Sequence, residues 1–122
     1  MPRVVHFEIE IDNPQRAIRF YTSVFGWKID EWGGPMDYWL VTTGQAPEPG
    51  IDGALKLRGV SPAPAVNTIS VPSIDEYAAK IQAAAGQIVQ PKMAIPGVGY
   101  FALCKDPEGN PFGIIESEPT AK

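Results

Sequence analysis

The chain has 122 residues, 44% hydrophobic and 20% charged, with a formal charge of −4 at neutral pH. That length suits one domain with a core of its own, and an acidic balance without clustered Lys or Arg argues against nucleic acid as a partner. A single cysteine, Cys104, excludes an internal disulfide, and no stretch approaches the ~20 apolar residues of a membrane helix, so a cytoplasmic protein with no membrane partner is expected.

In chain order, Val5-His6-Phe7-Glu8-Ile9-Glu10-Ile11 alternates apolar and polar residues, the period of a strand with two unlike faces. Phe7, Ile9 and Ile11 share one face; His6, Glu8 and Glu10 share the other. Asn13-Pro14 offers a helix N-cap followed by proline at the first helical position. Ala17, Ile18, Phe20, Tyr21, Val24 and Phe25 then trace a broad apolar helical stripe that stops at Gly26. Three short strands are predicted next, at Trp27–Glu31, Tyr38–Thr43 and Ile51–Leu57, with a Gly33-Gly34-Pro35 turn after the first.

Beyond a linker at Gly59–Pro64 the same order recurs: a strand at Val66–Val71, then a helix opened by Ser73-Ile74-Asp75-Glu76, which has capping-box spacing. That helix runs to Gly86. Strands at Gln87–Met93, Tyr100–Lys105 and Pro111–Ser117 follow, the last two joined by the turn Asp106-Pro107-Glu108-Gly109-Asn110. A shift of 60 residues places Ile9 on Ile69, Asn13 on Ser73, Gly26 on Gly86, Ile29 on Val89, Gly53 on Gly113 and Leu55 on Ile115, so caps, helix stops and strand faces coincide. The expected architecture is α+β: one domain over residues 1–122, built from two tandem βαβββ modules at 3–58 and 65–118 with a linker at 59–64.

Val5-His6-Phe7, Asn13-Pro14, Phe20-Tyr21 and Phe25-Gly26-Trp27, together with the Asp106-Pro107-Glu108-Gly109 turn, resemble the vicinal-oxygen-chelate superfamily of glyoxalases, bleomycin-resistance proteins and extradiol dioxygenases. The resemblance implies curled mixed sheets around a cleft, with the helices outside. In metal-using members of that family, His or Glu side chains from the first and last strand of each module hold a divalent ion. Carried over residue by residue, His6 matches one such position, while Val66, Gly53 and Gly113 stand at the other three and offer no ligating side chain. The resemblance therefore implies a protein without a family-type metal and with no other cofactor. Glu116, three residues beyond Gly113, is expected on the opposite face of its strand.

His6 is the only histidine, and Glu8 shares its face, so these two are the candidate catalytic residues for acid/base work. With Tyr38, Trp39, Thr68 and Tyr100 they are also the candidate ligand-binding set, aromatic side chains supplying apolar walls. Alternation allows only one of Tyr38 and Trp39 on the cleft side. Gly53 and Gly113 either widen the cleft floor or mark a close approach of neighbouring groups. Lys92 could meet an anionic substrate group or be simply solvated. The function expected from the family is binding of a small organic molecule in the cleft, whether or not a reaction follows. A metal-dependent lyase, isomerase or dioxygenase with an atypical ligand set, and a ligand-free interaction module, stand as alternatives. A homodimer is expected, since an open sheet face favours burial against a copy.

Overall fold

The computed structural model describes residues 2–34, 37–59 and 65–122, with Ala65 and Val66 described by backbone alone. Apart from Gly59, the expected linker lies outside the described residues, as does Pro35 of the expected turn. The chain divides into two compact units, His6–Ala65 and Met1–Val5 with Val66–Lys122.

The first unit holds β1 (Arg3–Ile11) from His6 onward, α1 (Pro14–Phe25), β2 (Lys28–Glu31), β3 (Tyr38–Thr42) and β4 (Asp52–Leu57). Its strands lie in the order β2-β3-β4-β1, with β1 parallel to β4 and the other pairs antiparallel. Asn13 caps α1 as its sequence signature requires: the side-chain oxygen accepts the Arg16 N–H at 3.0 Å, and Gly26 ends the helix at φ 73°. The core forms where alternation sends it. Ile9, Ile11, Val41 and Leu55 meet Ala17, Ile18 and Tyr21 of the helix, and Trp27 stacks on Tyr21 at 5.0 Å between ring centroids. Each large apolar side chain buried there contributes ~1.5–3 kcal/mol relative to exposure. The helical stripe is wider than this contact: Phe20, Val24 and Phe25 stay 53%, 57% and 59% exposed.

The second unit holds β5 (Ala65–Ser70), α2 (Ile74–Ala83), β6 (Gln87–Ile95), β7 (Gly99–Lys105) and β8 (Pro111–Ser117), with strand order β5-β8-β7-β6. Ser73 Oγ accepts the Glu76 N–H at 3.2 Å. The Glu76 carboxylate lies 3.5 Å from Lys80 Nζ, and the free Ile74 N–H donates to Glu116 Oε1 at 2.8 Å. Glu116 thus lies on the helix face of β8, as its spacing from Gly113 predicts, and satisfies one of the unpaired donors of a helix start. The turn before β8 is held by Asp106 Oδ1, which accepts the N–H groups of Glu108 and Asn110 at 2.9 Å each. The core gathers Val71, Ile74, Ala102, Cys104 and Ile114, with Ile69 and Ile88 packed against it.

The α+β class and the two βαβββ modules expected from the sequence are the observed architecture. The repeat needs one correction. Asn13 to the left-handed stop at Gly26 spans one residue more than Ser73 to its own stop, which is Ala85 at φ 71° and not Gly86. Past the helices the modules therefore correspond at a shift of 59. Ile29 matches Ile88, both packed on their cores, whereas Val89 is 36% exposed. Leu55 matches Ile114, both buried. Gly86 has a different purpose, since a Cβ there would meet Ile81 Cγ2 at 2.6 Å and the Ile81 carbonyl at 3.0 Å.

Candidate functional site

The site is assembled by the register of three strands. His6, Glu8 and Glu10 of β1 pair with Asp52, Ala54 and Lys56 of β4, and Lys56 in turn pairs with Tyr38 of β3. Cross-strand partners point the same way, so these side chains share the sheet face opposite α1.

Four of them form a continuous polar chain. Tyr38 Oη donates to Glu8 Oε2 at 2.6 Å, and Lys56 Nζ donates to Glu8 Oε1 at 2.8 Å. His6 Nε2 lies 3.3 Å from Tyr38 Oη and 3.7 Å from Glu8 Oε2. The side chains of Lys56, Glu8 and His6 are 6%, 17% and 30% exposed, a gradient that leaves the imidazole as the most open group of the three.

Charge explains the order. Burial by itself would raise the Glu8 carboxyl, but the neighbouring His6, hydrogen bonds from Lys56 and Tyr38 and the positive charge of Lys56 outweigh it and hold its pKa at about 2. Burial, the Glu8 charge and the bond to Glu8 all push Tyr38 well above the usual phenol range, so its hydrogen stays on the oxygen and points at Glu8. A phenol has one hydrogen. With it committed to Glu8, the Tyr38 oxygen can only accept from His6, which places a hydrogen on Nε2; in the neutral imidazole the lone pair is then on Nδ1. Glu8, ionised and with both oxygens engaged, is suited to holding its neighbours rather than to trading protons.

The remaining sequence candidates fall elsewhere. Trp39 lies on the helix face of β3 and packs into the first core, so Tyr38 is the member of the pair beside His6. Tyr100, expected to line the ligand site, packs against the second core on the α2 face; Lys92 sits 4.5 Å above its ring. The pleat decides both corrections: each is an odd step away from the face in question. Lys92 also meets Asp75 at 3.2 Å. Thr68 is buried and faces away from α2, opposite Gly113.

Gly53 does not occupy the position that counting by the repeat assigns. It pairs with Phe7 on the helix face, and a Cβ there would lie 2.6 Å from the Phe7 ring. The one-residue slip makes Ala54, opposite Glu8, the counterpart of Gly113, opposite Thr68. At Gly113 a Cβ would meet the Phe101 ring at 2.6 Å and Thr68 Oγ1 at 3.2 Å. Both glycines make room for a phenylalanine of their own module and open no cleft floor at those points.

Lys56 was missed by sequence reasoning. Its signal was a charged residue in the apolar run Gly53–Leu57, two positions from Ala54 and in phase with it. Glu10, on the same face, is buried at 7% exposure, and its Oε2 has no hydrogen-bond partner among the described residues. Two cavities of about 310 Å³ and 380 Å³ open in the first unit, one in the β3–β4 loop at Thr43, Glu48 and Asp52, the other beside Asn13, Arg16 and Arg58. Neither contains His6.

The sequence profile of the Glyoxalase/Bleomycin resistance protein/Dioxygenase superfamily matches residues 3–114. The chain belongs to that superfamily. A curated relative, "Putative glyoxylase CFP32" of Mycobacterium tuberculosis, is 30% identical over 119 residues, covering 92% of this chain and 43% of the relative, so the chain spans less than half of that protein's length. Among solved structures, a superfamily member from Vibrio splendidus 12B01 superposes with a TM-score of 0.71 at 16% identity, covering 97% of this chain and 100% of that one. Methylmalonyl-CoA epimerase from Mycobacterium tuberculosis superposes at 0.68 and 13% identity, over 94% and 87% of the two chains. These likenesses establish the glyoxalase-type fold.

Metal-using members of this superfamily direct attention to a divalent ion beside His6. The residues present do not fit one. Both Glu8 oxygens are taken, one of them by an ammonium group, and His6 Nε2 faces Tyr38. The residue types opposite the other expected positions, Val66, Gly113 and Ala54, bring no ligating atom. Among the described residues no three His, Cys, Asp or Glu side chains are grouped to hold a metal ion.

Proposed function

We propose that the protein binds a small organic molecule on the His6 face of the first module, without a metal ion, and that His6 Nδ1 is the atom that accepts a hydrogen bond or a proton from it. The observation that carries this reading is the chain His6–Tyr38–Glu8–Lys56, which commits one imidazole nitrogen and leaves the other free. An imidazole held at both orientation and tautomer is a prepared base. Membership of a superfamily with glyoxalases, resistance proteins and dioxygenases supports a small-molecule ligand. Tyr38 supplies an aromatic surface beside the imidazole, and Trp32 packs on it at 5.6 Å between centroids. The reading keeps the cytoplasmic location and the homodimer expected from the sequence, which fractionation and light scattering test.

The decisive experiment is a thermal-shift screen of small oxygenated metabolites and antibiotics against the wild type and His6→Ala. A ligand at 100 times its dissociation constant adds ~2.7 kcal/mol to stability, an easily read shift. The expected result is at least one compound that raises the melting temperature of the wild type and not of the variant. Silence across a broad library, or equal shifts in both proteins, would overturn the reading.

A further inference from the structure

The helices of the two modules are dressed differently. In α2 the large side chains Ile74, Tyr77 and Ile81 all pack on their own core, Asp75 and Glu76 open the first turn, and Lys80 stands in the last. That is the charge order a helix macrodipole favours. α1 reverses it. Its only charged residues, Arg16 and Arg19, lie in its first half, with no acid in the first turn and no base in the last. Beyond the stripe that meets its core, α1 also holds Phe20, Val24 and Phe25 more than half exposed. Phe20 and Phe25 meet edge to face at 6.2 Å between centroids, and Val24 is one turn from Phe20, so the three make one patch.

Arg16, Phe20 and Val24 stand four residues apart along one line of the helix, roughly 12 Å long. A second α1 laid antiparallel on that line answers both features at once. Phe20 meets the partner's Val24, and Val24 meets the partner's Phe20, so the patch is complementary to itself about a two-fold axis. Arg16 and Arg19 then lie toward the partner's last turn, where the negative end of the dipole has no cation of its own. We propose that two copies of this chain pair through α1, helix antiparallel to helix, with Phe20, Val24 and Phe25 at the centre of the contact and the arginines at its rim. The exposed parts of those three side chains supply roughly 300 Å² of the ~800 Å² per partner that a standard interface buries. An apolar centre inside a charged rim is the usual anatomy of such a contact. This surface rests on the homodimer reading alone, since the His6 site lies on the sheet face opposite α1 and is tested by its own screen.

The test is sedimentation equilibrium of the full chain as wild type, Phe20→Lys, Val24→Glu, an equimolar mixture of those two variants, and Met93→Glu, which charges an exposed apolar residue of the second unit. Phe20 and Val24 are more than half exposed, so both α1 variants keep the fold. The wild type should dimerise. Each α1 variant alone should raise the dissociation constant of the dimer roughly 100-fold, because a charge is then pressed against an apolar side chain. The mixture should dimerise more tightly than either variant alone: the introduced lysine and glutamate face each other, and the second Phe20–Val24 contact stays intact. Met93→Glu should match the wild type. A wild type that stays monomeric overturns the homodimer and this surface together. A dimer that survives both α1 substitutions overturns this surface alone. So does a mixture no tighter than its components, or dissociation by Met93→Glu and not by the α1 variants.

Discussion

Glu8→Gln should reshape the acid limb of the stability curve, and the size of the effect follows from the site. The folded chain lowers this carboxyl from 4.5 to about 2, against the opposing pull of burial. Between those two values the unfolded chain holds a proton that the folded chain does not, so the contribution is complete above the unfolded value and is lost as pH falls through the folded one. At ~1.36 kcal/mol per pKa unit it amounts to about 3 kcal/mol, a large share of the ~5–15 kcal/mol that holds a domain together. The Glu8 side chain is 17% exposed, so screening by solvent removes little of it. Glutamine keeps the shape, carries no charge and leaves the Lys56 ammonium without its partner. The variant should therefore be less stable than the wild type by roughly 3 kcal/mol near neutral pH. By about pH 3, some 2 kcal/mol of that gap should have closed. Urea unfolding of both proteins across this range reads the gap directly, using the fluorescence of Trp27 and Trp39, which pack on the first core. A gap of unchanged size at about pH 3 would refute the linkage between Glu8 and its donors.

Four further outcomes are expected. Tyr38→Phe removes the bridge between His6 and Glu8; it should cost about 1–2 kcal/mol by chemical denaturation and weaken any ligand found in the screen. Gly113→Ala drives a methyl group into the Phe101 ring and should cost roughly 1–3 kcal/mol, so a gain in stability there would show that the Phe101 ring moves aside freely. Ala85→Gly relieves a left-handed residue at the end of α2 and should raise stability by roughly 1 kcal/mol, measured by the same denaturation. Burial pushes the Cys104 thiol up to about 11, so a thiol-specific reagent at neutral pH should label it only when the chain unfolds; rapid labelling of the native protein would contradict its burial.

Much of the fold was legible because local chemistry announces it. Alternation marked β1, Asn13 and Ser73 marked the helix starts, and the Asp106 turn marked the last hairpin, all within a residue or two of the observed elements. The helix ends were harder. Gly86 looks like a stop, but the left-handed residue is Ala85, and this one position carries the whole downstream register with it. Half of the site followed from alternation on β1, which put His6 and Glu8 together without any tertiary information. Lys56 and Tyr38 come from strands 30 and more residues away, and which of their neighbours face His6 depends on ladder pairing, a long-range property that no local pattern encodes. Trp39 and Tyr100 were misplaced for the same reason: each reads correctly as an aromatic on a strand, and only the pairing says which side it takes.

The unequal helix lengths have a consequence for anyone recombining the halves of this chain. A chimera that exchanged β4 for β8 by residue number would seat the incoming strand one step out of phase, sending Ile114 to the face where Ala54 now stands and setting Gly113 beneath the helix. Cut one residue over, the same exchange keeps every side chain on its own side. Fragment swaps at the two offsets would therefore behave as different molecules, one soluble and folded, the other inside out.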